Sequence, residues 1–268
     1  MNTNTIANQF ARMGARFRIV RPEEVPRRRR RTDYALDIVA DKDGQLFEMQ
    51  LSAEREAQLD TLVLQCEPQD RHLLLLVKTP EAKDRFLCGH DEREWFVAAV
   101  PGGASSVAQA KSALQPAPVR MAADSAGLDM RQRFRRHNRA FIRQGEWFFV
   151  PAPAMVADPK LILRNEPLRR GSGKPHMVAE LFRSGGETVY VCANRPQGIS
   201  EKEYRKLIAE KRAAKHWGWR MMKRNAEVYV RGTVRHSDHA TITLRDWHTV
   251  WMNTESATRQ MANVAFLD

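Results

Sequence analysis

From Tyr34 onward the chain alternates apolar and polar residues. Tyr34-Ala-Leu-Asp-Ile-Val-Ala is followed by the polar stretch Asp41-Lys-Asp-Gly44 and then by Gln45-Leu-Phe-Glu-Met-Gln-Leu51. A period of two on both sides of a glycine-ended turn predicts a β-hairpin. Short apolar runs at Leu59–Leu64, His72–Val77 and Trp95–Val100 predict further strands, the last two buried on both faces. Ser105–Leu114 reads as a closing helix. In the second half, a helix is expected over Leu128–Arg139. Strands are expected over Phe141–Val150, Met177–Phe182, Val189–Ala193, Glu227–Val234, Thr241–Leu244 and His248–Met252. Ser200-Glu-Lys-Glu203 has the spacing of a capping box, which starts a helix in which the Ser and Glu side chains satisfy each other's backbone N–H groups.

These elements divide the chain into an irregular arm over 1–31, a first domain over 32–114, an Ala- and Pro-rich linker over 115–127, and a second domain over 128–268. The fold class expected is α+β, with two domains rich in antiparallel strand. The second is read as a small barrel-like β domain with a basic helical insertion at 200–216.

Charge changes the picture. The 268 residues carry 44 Lys plus Arg against 32 Asp plus Glu, a formal +12. Such a surplus attracts polyanions, because cations placed on a phosphate chain release condensed counterions. Met1–Phe10 has neither a basic start nor an apolar stretch, and no run is long enough to span a bilayer, so neither a leader nor a membrane partner is expected. Three scattered cysteines and no CxxC pair fit a reducing cytoplasm and exclude the common zinc-finger spacings.

The cations fall in three clusters. Arg27–Arg31 is a run of five, from which Arg28, Arg29 and Arg30 are taken as phosphate contacts. Arg131, Arg135 and Arg139 would form one row on a helix at i, i+4 spacing. Ser200–Arg224 holds nine Lys or Arg against three Glu, among them Lys211, Arg212, Lys215 and Arg220, and Trp217 there offers a ring on which a base can stack. A single cluster of this kind is normally a solvated face; three together favour a nucleic acid, DNA or RNA, or another polyanion. An acidic protein partner would use the same charges. The primary expectation is therefore a basic nucleic-acid-binding or accessory protein, of the kind mobile elements and defence systems carry.

The second half also concentrates histidines. His176 follows Gly171-Ser-Gly-Lys-Pro, Glu180 lies four residues on, and Arg235-His-Ser-Asp-His239 precedes Asp246-Trp-His248. His176, His236 and His239 have the ligand chemistry for a divalent metal, with Glu180 as a further ligand or base. Asp238 and His248 are candidate acid–base groups. This gives the alternative expectation of a metal-dependent hydrolase or nuclease. The competing reading of His-Ser-Asp-His is an ordinary polar turn between strands. Gly171-Ser-Gly-Lys174 lacks the remaining residues of a phosphate loop. Asp238-His239 with Asn253 and Asn263 has HNH-like residues but sits among strands. Cys88 and His90 are better placed in a turn joining core strands than as a thiolate–imidazole pair.

Arg143-Gln-Gly-Glu-Trp-Phe-Phe-Val-Pro151, Lys174-Pro-His176 and His236-Ser-Asp-His-Ala-Thr-Ile-Thr-Leu244 resemble a set of uncharacterised bacterial and phage proteins. Those share an R-Q-G-D-hydrophobic-Pro opening, a G-H-A-H and an H-E-E-H followed by a strand. The resemblance covers the second half only. It aligns His176 with the second histidine of G-H-A-H, and His236 and His239 with the histidines of H-E-E-H, Ser237 and Asp238 replacing the acids. It implies a role for the histidines and names no reaction.

Overall fold

A computed structural model of the chain describes residues 3–30, 34–170 and 174–255. In order along the chain these form α1 (Thr3–Arg12), β1 (Phe17–Val20), β2 (Tyr34–Asp41), β3 (Gly44–Leu51), α2 (Ala53–Glu56), β4 (Asp60–Glu67), β5 (His72–Lys78), β6 (Lys83–Asp91), β7 (Glu94–Ala99), α3 (Val107–Ala113), α4 (Ala117–Ser125) and α5 (Met130–Arg133). There follow β8 (Ile142–Gln144), β9 (Trp147–Pro151), β10 (Leu163–Leu168), β11 (His176–Ser184), β12 (Glu187–Cys192), β13 (Arg195–Ser200), α6 (Glu201–Glu210), β14 (Arg220–Arg224), β15 (Glu227–Arg235) and β16 (Ile242–Met252). The fold is β-rich with interspersed helices, and all but one of its strand pairings are antiparallel among the registers described. No described helix is long and apolar enough to cross a membrane.

Two compact units result. The first takes the described residues up to Phe148 and those from Trp251 on; the second is Phe149–Val250. In the first, β1-β3-β2 form one sheet and β4-β5-β6-β7 another. The β2–β3 hairpin turns where the sequence places it, with Asp41 opposite Gly44, and Gly44 takes the φ of +102° that an L side chain resists. β5 is buried on both faces. Leu73, Leu75 and Val77 pack with Phe47, Met49 and Phe86, while Leu74 packs with Val107 and Ala110 of α3.

The N-terminal segment is not an irregular arm. Ile6, Phe10 and Met13 fall on one side of α1 and its trailing turn and are buried in the first core, and β1 pairs in parallel with β3. Of the arginine block, Arg27–Arg29 forms a single 3-10 turn. Arg29 meets Glu48 at 2.7 Å and Arg18 meets the same carboxylate at 2.6 Å; Glu48 is 1% exposed. A carboxylate at that depth is stable only when paired. Arg30 donates to the carbonyls of Val25 and Glu23. Arg28 remains exposed, and Arg31 lies outside the described residues.

The segment 115–127, expected as a linker, contains α4, with Val119 and Ala123 fully buried. Alanine is the strongest helix former and proline is tolerated in the first turn, so the same composition serves a helix. The unit boundary falls at Phe148/Phe149 instead.

The expected helix over Leu128–Arg139 stops at Arg133. Asn138 ends it: its side-chain oxygen accepts from the N–H groups of Ala140 and Phe141, and its amide donates to the carbonyls of Gln132 and Arg135. Side-chain bonds of this kind compete with the helical ladder. Arg131, Arg135 and Arg139 are each exposed, but they do not form a helical row.

The second unit contains most of a sheet of order β10-β11-β15-β16-β9-β8 and a smaller sheet β13-β12-β14. Among the described residues neither closes, so the barrel-like expectation is replaced by open sheets. β16 is one long strand across both stretches expected at 241–244 and 248–252. The strand expected over Phe141–Val150 breaks into β8 and β9 at Gly145, whose φ is +57°. Ser200 caps α6 through the expected box with Glu203.

Candidate metal centre

Strand pairing brings the histidines together. β11 begins at His176, and Met177 pairs with Arg235, the last residue of β15. His176 and His236 therefore occupy the next position of the same ladder, although sixty residues separate them. His239 lies in the connection from β15 to β16 and folds back over them. The ring centroids of His176 and His236 are 4.1 Å apart, those of His236 and His239 4.8 Å, and those of His176 and His239 5.6 Å. One nitrogen from each ring can be chosen so that all lie within 4.8 Å of one another. His176 is 1% exposed, whereas His236 and His239 are only partly buried, so solvent reaches one side of the group.

Burial, reinforced by the neighbouring rings of His236 and His239, pushes the pKa of His176 down to about 3, with Asp238 opposing. The ring is therefore neutral at physiological pH, the form that ligates metal. The backbone N–H of Asp238 donates to Nδ1 of His236 at 3.2 Å. The neutral ring thus carries its proton on Nε2, and metal ligation at either nitrogen requires that hydrogen bond to be given up.

Asp238 is held beside the group. Its carboxylate accepts from Nζ of Lys174 at 2.7 and 2.8 Å and from the Ser237 hydroxyl at 2.8 Å, and one oxygen lies 4.0 Å from Nδ1 of His236. Burial acts to raise its pKa, but the bonds from Lys174 and Ser237 win and hold it below the ordinary carboxylate value. An ionised carboxylate so engaged orients the histidine loop and is a weak proton acceptor. Lys174, to which sequence reasoning gave no role, is a member of this group that it missed; the signal was a cation two positions before His176.

Glu180 stands apart from this group. It receives Nε and a terminal nitrogen of Arg231 at 2.8 and 2.6 Å, with Arg164 at 3.7 Å, and the Arg231 guanidinium stacks 4.8 Å over Trp247. The four-residue spacing would put Glu180 on the face of His176 in a regular strand. Four residues of strand span about 13 Å, however, so even on that face Glu180 lies out of reach of His176; across the β11–β15 pairing, β15 carries an extra residue opposite Ala179. His248 also lies elsewhere. It pairs with Val230, roughly 20 Å along the strand from His236 at about 3.3 Å per residue, and its Nδ1 bonds the carbonyl of Asp246 at 2.8 Å.

The third basic cluster stays at the surface. Lys211, Arg212, Lys215 and Arg220 are exposed and Trp217 is half-buried. Gly171–Gly173 and Asn263 lie outside the described residues. Cys88 is fully buried, and burial pushes its thiol pKa well up, away from thiolate chemistry. No family model, curated protein or solved structure matches the chain.

Proposed function

We propose that the protein is a divalent-metal-dependent hydrolase acting on phosphodiesters, with His176, His236 and His239 as the metal ligands. The observation that carries this reading is the convergence of three imidazoles whose ligand atoms lie within 4.8 Å of one another. Three protein ligands leave a fourth position for water or substrate, the arrangement of catalytic rather than structural zinc sites. A metal held by these three imidazoles would lower the pKa of a bound water and polarise a phosphoryl oxygen. The chain's own groups supply the rest. His176 anchors the site in the core, Lys174 and Asp238 fix the loop that presents His236 and His239, and the exposed Arg235 beside His236 favours an anionic substrate.

Metal content and cleavage test this together. Dialysed protein should take up one equivalent of zinc or manganese by calorimetry, and His239→Ala should weaken uptake at least about tenfold while leaving the circular dichroism unchanged. A labelled oligonucleotide or bis(p-nitrophenyl) phosphate should be cleaved only with metal present. The reading is lost if no stoichiometric metal binds, or if His239→Ala binds and cleaves like the parent.

A further inference from the structure

The smaller sheet carries a chain of aromatic rings that the histidine site does not use. Tyr190 of β12 stacks on Tyr204 of α6, with centroids 4.0 Å apart and planes 5° from parallel. Tyr204 meets Trp219 edge-on at 5.1 Å, and Trp219 lies near-parallel to Trp217 at 6.1 Å. None of the four rings is buried, so they are not a core. Trp219 is fixed, because its indole N–H donates to the carbonyl of Ala214 at 2.7 Å. Trp217 is the end of the chain, and Nζ of Lys211 sits 5.1 Å from its ring centre.

The charges around these rings are unbalanced. Glu201 is held by Arg205, Glu210 by Lys206 and Glu187 by Arg224, while Glu203 caps α6. Lys202, Lys211, Arg212, Lys215 and Arg220 are exposed, and none makes an ion pair among the described residues. The local acids are thus occupied and the cations are available. A surface of half-exposed rings bordered by free cations is complementary to a ligand that alternates flat faces with anions. Among the described residues, Met221 is the sole large apolar side chain exposed in this region, so it lacks the apolar wedge that a membrane surface would require.

We propose that the face formed by Tyr190, Tyr204, Trp217 and Trp219 binds single-stranded nucleic acid, with a base stacked on Trp217 and the surrounding cations on the phosphates. A base arriving on Trp217 takes the place of the Lys211 ammonium, which is thereby released to a neighbouring phosphate. Paired bases hide their faces within the helix, so a duplex cannot make the same contact.

This does not depend on the metal reading, and the experiment is run on the full chain in EDTA so that the two fail separately. Fluorescence anisotropy would be measured with labelled fifteen-nucleotide dT and U strands, a duplex of the same length and vesicles containing anionic lipid. The single strands should bind, the DNA and RNA arms showing which backbone is preferred, and the duplex should bind more weakly. Trp217→Ala should weaken binding at least about fivefold, and Trp217→Phe should recover most of it, because a stacking face remains. Lys211→Ala with Arg212→Ala should reduce the slope of log K against log salt by about 1.4. If Trp217→Ala does not fold, quenching of the parent's tryptophan emission by the strands and the altered salt slope of the charge variant decide. Absence of strand binding, equal affinity for the duplex, equal binding by a folded Trp217→Ala variant, or vesicle binding tighter than strand binding would each overturn the proposal.

Discussion

His72 and His176 are both driven to the neutral form by burial, yet their surroundings assign them different work. His72 packs edge-on against Phe96 with centroids 5.8 Å apart, and its Nδ1 bonds the carbonyl of Asp70. Burial first and the charge of Lys111 second bring its pKa down to about 4. Between about 4 and the ordinary value of 6.5 the unfolded chain therefore binds the proton and the folded chain does not. The stability this histidine contributes is present above 6.5 and is lost as pH falls toward 4. Denaturant unfolding in EDTA should show stability decreasing over that window, and His72→Asn should flatten the decline. His176 shifts in the same direction, so the slope should shrink rather than vanish. The residue types at the histidine site were readable in the sequence, because imidazoles at close spacing suit a metal whatever the fold. Glu180 was misplaced for a residue-scale reason: Arg231, fifty-one positions later, claims its carboxylate.

At the scale of elements, local chemistry explains where the reading held and where it failed. The β2–β3 hairpin and the α6 cap were legible because a turn and a cap depend on four adjacent residues. The helix expected at 128–139 had helical charge spacing but no apolar stripe, and Asn138 offered the backbone other partners. β1, β6, β10, β13 and β14 escaped notice because short or polar strands carry little periodic signal; pairing partners specify them. The bulge in β15 is another feature of pairing. Gly232 adopts a φ of +87°, and a Cβ built there would lie 2.8 Å from that of Ala179. Gly232→Ala should lower stability by roughly 1–3 kcal/mol, read from thermal or denaturant unfolding. The same substitution should weaken metal uptake, since the bulge lies between the paired ends that hold His176 and His236 and the rest of the ladder. A variant as stable as the parent would mean that the backbone there adapts without strain.

At the scale of the whole molecule, the +12 charge is not a uniform signal of nucleic-acid binding. Part of it neutralises buried acids, as Arg18 and Arg29 do at Glu48, and part is spread over loops. Among the described residues, exposed cations outside any ion pair include Lys211, Arg212 and Lys215 in the turn after α6, and also Arg28, Arg131, Arg135 and Arg139 elsewhere. Metal should also act on the whole chain through linkage. Zinc at one hundred times its dissociation constant should stabilise the folded state by about 2.7 kcal/mol, seen as an upward shift of unfolding that EDTA reverses. At the same zinc concentration His239→Ala, binding at least about tenfold more weakly, should cut that gain to about 1.4 kcal/mol or less. The sequence by itself determined a β-rich chain, the first hairpin, the helix capped at Ser200 and the stock of histidines and cations, because each depends on composition or on residues a few positions apart. Tertiary structure alone decided that the N-terminal segment and the supposed linker belong to a core, that the arginine block is partly consumed internally, and that His176 meets His236 and His239 while Glu180 and His248 do not. Those outcomes depend on strand register, which joins residues sixty positions apart and which no local pattern records.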